Sequence, residues 1–140
     1  MTVQILKAAG WLICLTCITW TSWTCKDEVT GGGTIDVVFP DSIISFGQHV
    51  QPLFTRGCAF SGCHGAERYA DDGYSLDSYE HLMFGTRAVV FRGDPDNSLL
   101  IQATEARNQV PKMPPNDFTQ LNDNQKRGLR RWVAEGAQNN

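Results

Sequence analysis

The sequence predicts a mostly α domain of about four helices joined by long irregular loops. Three observations predict it. Apolar residues recur at helical and not at alternating spacing, a capping pair opens the last helical segment, and three prolines within 110–115 bar any regular element there. In the first helical segment Val50, Leu53 and Phe54 form one stripe. Pro52 is tolerated only near a helix start, where backbone donors lack partners, so this helix begins near Gln48 and Gly57 turns the chain into Cys58. A second helix fits 77–84, capped by Ser75 or Asp77, with Leu82 and Met83 on one face and Gly85 as its stop. A third fits 96–105, opened by Gly93-Asp94-Pro95 and burying Leu99, Leu100 and Ala103. The fourth opens at Asn122, with Gln125 as capping-box partner, and runs to about Ala137 on a stripe of Leu129, Trp132 and Val133. Ahead of all four, residues 35–39 are β-branched and aromatic and end at Pro40, as either a short strand or an extended arm.

Composition narrows the function classes. A chain of 140 residues holds one domain, and 41% hydrophobic against 19% charged residues excludes wholesale disorder. With 12 basic and 15 acidic residues, the net charge of −3 excludes a broad basic surface for nucleic acid. No phosphate loop, dinucleotide fingerprint or nucleophile elbow occurs.

The amino-terminal residues read as an export signal. Lys7 precedes an uncharged apolar run that is short for a bilayer span, and Cys14 and Cys17 fall inside it, so their spacing carries no redox motif. Cys25 closes the run and is followed at once by Lys26-Asp27-Glu28, a layout that resembles a bacterial lipoprotein junction. The expected organisation is a signal peptide over 1–24, then a lipid-anchored Gly-rich tether and arm over 25–44, then a domain over 45–140. An ordinary cleavage site or an uncleaved anchor helix are the rival readings of Cys25. In each case the domain lies outside the cytoplasmic membrane, and acyl chains on Cys25 would hold it there. Cleavage removes one basic residue, Lys7, leaving 11 basic and 15 acidic residues and a charge of −4. It also leaves two cysteines, Cys58 and Cys63, whose short loop is poorly suited to stapling a fold.

Those two cysteines run directly into His64. Two thiols beside an imidazole can add to the two vinyl groups of a haem while the histidine reaches the iron, the chemistry of Cys-x-x-Cys-His. Here the spacing is Cys-x4-Cys-His, with small Ser61 and Gly62 to shape the longer loop. A structural zinc site is the rival, and it would need His49 or His81 to complete four ligands. Fifty residues on, Met113 stands among Pro111, Pro114 and Pro115 and offers a soft thioether that raises a haem's potential. Its rivals as second ligand are Met83 and His81, and the plain alternative for Met113 is apolar packing.

Taken together the chain resembles the class I c-type cytochromes over about 46–138. The resemblance rests on Cys58-x4-Cys63-His64 after a helix, Gly93-Asp94-Pro95-Asp96-Asn97-Ser98-Leu99-Leu100, then Lys112-Met113-Pro114-Pro115, and a last helix with Arg130-Arg131-Trp132. It implies a cytochrome c-like bundle around one covalently bound haem c per chain, attached through Cys58 and Cys63 with His64 and Met113 as axial ligands. It also implies that the first and last helices cross, with Phe54 and Trp132 near the contact. Arg92 is a candidate partner for a haem propionate, because a buried carboxylate needs a cation. The expected function is single-electron transfer between membrane-associated redox proteins, without enzyme activity, since both axial positions are taken. A peroxidase or ligand sensor with a displaceable Met113 is the alternative, and a haem-free binding lipoprotein a third.

Overall fold

The computed structural model describes residues 35–140. The expectations for the signal peptide, for Cys25 and for the Gly-rich tether over 30–34 lie outside these residues. Among the described residues there are helices and loops and no strand.

Helix α1 (Gln51–Gly57) is entered through a widened turn over Phe46–Val50, in which the Val50 and Gln51 amides reach back five residues to the carbonyls of Ser45 and Phe46. Pro52 follows at the first turn of α1, where its missing N–H leaves no donor unpaired. Ser45 caps the widened turn through Oγ, which accepts from the Gln48 amide. Helix α2 (Tyr69–Asp72), led by a tight turn over Ala66–Arg68, has no counterpart in the sequence reading. It is too short to show an apolar stripe, and the Arg68–Asp72 ion pair at 2.9 Å spans it.

Helix α3 (Tyr79–Met83) starts two residues later than expected, because Ser78 and not Ser75 or Asp77 accepts from the His81 amide. Helix α4 (Leu99–Thr104) is likewise shorter than expected, since the Ser98 hydroxyl donates back to the Asp94 carbonyl and holds 94–98 as a turn. Helix α5 (Asp123–Ala134) has the capping box of Asn122 and Gln125 that the sequence shows.

The core joins the turn before α1, α1 itself and α5. Val50, Leu53, Phe54, Leu129, Trp132 and Val133 are all at most 1% exposed. Phe46, in the turn before α1, has its ring 5.6 Å from that of Trp132 in α5. Residues 35–39 form an extended arm, with Ile35, Val37 and Phe39 buried in alternation. The buried Gln125 amide donates to the Ile35 and Val37 carbonyls, and Asn124 bonds Phe39 in both directions. Phe39 packs so closely on α5 that a Cβ at Gly128 would collide with its ring. The arm is therefore packed into the same core as α5.

Candidate functional site

After α1 the chain folds into a compact loop. The Cys58 and Ala59 amides both bond the Phe54 carbonyl at 2.8 Å, the Cys63 amide bonds the Phe60 carbonyl, and the His64 amide returns to Cys58. Gly62 sits at φ 78°, a left-handed conformation that glycine adopts without the strain a side chain would bring. The His64 carbonyl accepts from Leu76, which ties the loop to the segment before α3.

On the other side of the sequence, the Met113 amide donates to the Ala103 carbonyl at 3.0 Å, fastening the proline-rich loop to the end of α4. Gln120 closes that loop, its side-chain amide meeting the carbonyls of Pro114, Pro115 and Phe118. Nothing in the sequence marks Gln120 for this role, because its partners are backbone groups.

These two loops meet at one cavity of about 490 Å³, which Cys58, Cys63, His64 and Met113 all line. The walls are largely apolar and include Phe54, Leu76, Val89, Leu99, Leu100 and Leu129. Leu99, Leu100 and Ala103, expected in the core, are half-buried and line this cavity, while the buried residues of α4 are Ile101, Gln102 and Thr104. Burial pushes the Cys58 thiol up to about 12, with the neighbouring Cys63 adding to it, so Cys58 stays protonated at neutral pH. Burial lowers the His64 pKa below its usual value; Asp72 opposes that shift and Arg68 reinforces it. His64 is thus a neutral imidazole with a free lone pair, and its buried Nδ1 has no hydrogen-bond partner.

The rival ligands go elsewhere. His49 accepts from the Ser45 amide through Nδ1, His81 bonds Asp77 at 2.9 Å and stacks on Tyr69, and Met83 packs against the core. None of the three lines the cavity, and among the described residues no three His, Cys, Asp or Glu side chains gather as a metal site would need. Arg92 also lies away from the cavity. Its guanidinium donates to the Gly136 and Ala137 carbonyls and to the Tyr79 hydroxyl, locking the end of α5 to α3. The arginines that line the cavity are Arg68 and Arg87, with Arg87 5.8 Å from the Tyr74 ring. No motif in the loop over 84–89 marks Arg87 in the sequence.

A family model described as Planctomycete cytochrome C matches residues 61–117, less than half of the chain. The match supports a c-type cytochrome-like domain. At this coarse level it indicates haem-based electron transfer with covalently bound haem c. The matched stretch of the cytochrome-like domain opens after Cys58 and contains Cys63, His64 and Met113. No similarity to a curated protein or to a solved structure was found.

The donor set of the cytochrome-like domain suits haem c. Two thiols could attach the macrocycle, a neutral imidazole and a thioether could ligate iron, and apolar walls suit a flat aromatic ring.

Proposed function

We propose that this protein is a monohaem cytochrome c, in which Cys58 and Cys63 hold the haem, His64 and Met113 are the axial ligands, and single electrons pass between membrane-associated redox partners. Bound haem supplies the chemistry, an iron that cycles between ferric and ferrous states. The observation that carries the reading is the convergence of all four residues on one largely apolar cavity. The chain's own contribution is placement. The Ala103 carbonyl and the Gln120 amide keep Met113 at the cavity, and burial keeps His64 neutral and able to donate its lone pair. Leucine and valine side chains restrict water around the site, which favours the less charged state of a redox centre. Arg87 and Arg68, in place of Arg92, are the cations available to propionates.

With His64 and Met113 both bound to a haem iron no position would stay open, so the protein would act as a carrier and not as an enzyme. Acyl chains on Cys25 tether it to the outer side of a membrane, and its net acidity favours partners with a basic docking patch. Two measurements test this. The pyridine haemochrome spectrum of denatured protein reads one covalent haem per chain; colourless protein overturns the proposal. The ferric methionine charge-transfer band should be present in the wild type and absent in Met113→Ala. A wild type that lacks the band and binds small exogenous ligands readily would instead be a sensor or peroxidase.

A further inference from the structure

The loop between the two cysteines is two residues longer than in Cys-x-x-Cys-His, and something must hold it folded. Backbone bonds at its base do part of this, from Cys63 and Gly65 to the Phe60 carbonyl and from His64 to Cys58. The tip, Ser61-Gly62, has no such bond. It is met instead by Glu67, whose Oε1 accepts the Gly62 amide at 2.6 Å and whose carboxylate also accepts the Ser61 hydroxyl. These are charge-assisted bonds, the stronger kind. The same carboxylate passes over Gly65, where a Cβ would fall 2.5 Å from Oε2, so the adjoining glycine is what lets it reach the tip. Hydrogen bonds from its own backbone amide first, then from Gly62 and Ser61, hold the Glu67 carboxyl below its usual range, although the group is exposed. Glu67 thus bridges the loop tip to the turn leading into α2, with the immediate neighbour of Cys63 in its grip.

We propose that Glu67 is a positioning residue for haem attachment: by clamping Ser61 and Gly62 it sets the sulfur of Cys63 where it can bond the same porphyrin as Cys58. The inference rests on the haem reading above. At each attachment the thiol S–H adds across a vinyl double bond of the porphyrin. A C–S bond and a C–H bond form, the S–H bond and the vinyl π bond break, and nothing leaves. No further oxidant or reductant enters that balance. Cys58 is anchored directly by the end of α1, whereas Cys63 is exposed and depends on the clamped loop. Loss of the clamp should therefore spare the first bond and impair the second.

The test expresses the full chain, with Glu67→Ala and Glu67→Gln variants, in a host that assembles c-type haem. Free thiols are alkylated, and the masses of the peptide over 58–64 are read. Wild type should carry haem on both sulfurs. In Glu67→Ala the population with Cys63 alkylated and Cys58 bonded should rise by about threefold to tenfold, the range expected for one ordinary hydrogen bond, since water screens this exposed carboxylate. Total haem per chain should hardly change, which separates positioning from a general loss of folding. Glu67→Gln keeps an acceptor for the Gly62 amide and should recover most of the doubly bonded form. Unchanged attachment in Glu67→Ala, or equal loss at both sulfurs, overturns the proposal while leaving the haem reading intact. A wild type without haem overturns both, and is recognised because the failure precedes any substitution.

Discussion

The scaffold around Trp132 and the cavity around His64 share Phe54 and Leu129 but are built on different terms. In the scaffold, side chains from the arm, the turn before α1 and α5 satisfy one another: Trp132 is fully buried and even its indole N–H finds the Gln138 carbonyl. Around the cavity, Leu99 and Leu100 of the wall are half-covered, and the polar groups include a buried imidazole nitrogen with no protein partner. The difference teaches where each region takes its order from. The scaffold holds itself by packing, whereas the cavity is held from behind by backbone hydrogen bonds to Ala103, Phe54 and Phe60.

The strongest way to break this comparison is Trp132→Ala. Truncating a fully buried tryptophan should cost about 3–5 kcal/mol in denaturant unfolding. Leu100→Ala, in the half-covered cavity wall, should cost less than about 1.5 kcal/mol. Equal losses would mean that the two regions are packed alike.

A finer contrast sets Arg92 against Arg87. Removing the Arg92 guanidinium strips hydrogen bonds that join α3 to the end of α5, so Arg92→Ala should lower stability by about 1 kcal/mol and leave the reduction potential unchanged. Arg87→Ala should do the reverse, moving the potential with little change in unfolding. A shifted potential in Arg92→Ala would return that residue to the cofactor.

Gln120→Ala tests how the methionine loop is held. Two of its three carbonyl partners, Pro115 and Phe118, are near solvent where water can replace it, so the stability change should stay below about 1 kcal/mol. Hydrogen exchange at the Phe118 amide, which bonds Pro115, should nonetheless quicken, while the scaffold amides of α5 keep their protection. Equal quickening in both regions would show that the loop and the scaffold open together.

The smallest effect is one of pH. Arg130 and Arg107 hold the Asp96 carboxyl below the usual carboxylate range through direct hydrogen bonds. Its unfolded pKa is then the higher, near 3.9, and the unfolded chain binds the proton first. The contribution is therefore complete above that value and fades as pH falls through the folded pKa. Asp96→Asn should flatten the acid side of the stability profile slightly, and an unchanged profile would show that this exposed network adds nothing to the link between α4 and α5.

Helices with an apolar stripe or a side-chain cap are legible in the sequence, and their ends are less so. Asn122 and Gln125 mark α5 because both partners of the capping box lie within one turn. α3 is capped by Ser78 and begins at Tyr79, not earlier, because three nearby side chains compete to cap it, and Ser75 and Asp77 bond each other instead. α2 leaves no trace because an ion pair and a tight turn make it without any stripe. The arm is ambiguous for a related reason: the alternation of Ile35, Val37 and Phe39 suits a strand, but its partners are the side chains of Asn124 and Gln125, 85 and 90 residues away.

Of the candidate site, Cys58, Cys63, His64 and Met113 could be picked out from the chain alone, because rare residue types at short spacing, or among prolines, carry their chemistry with them. That they border a common cavity, that Arg87 does and Arg92 does not, and that Glu67 and Gln120 brace the two loops, are matters of tertiary structure. The physical reason is range. Ligand chemistry and helix caps are set by neighbours within a few residues, whereas a salt link or a carbonyl contact can be made by any of several arginines or amides, and only packing selects which one arrives.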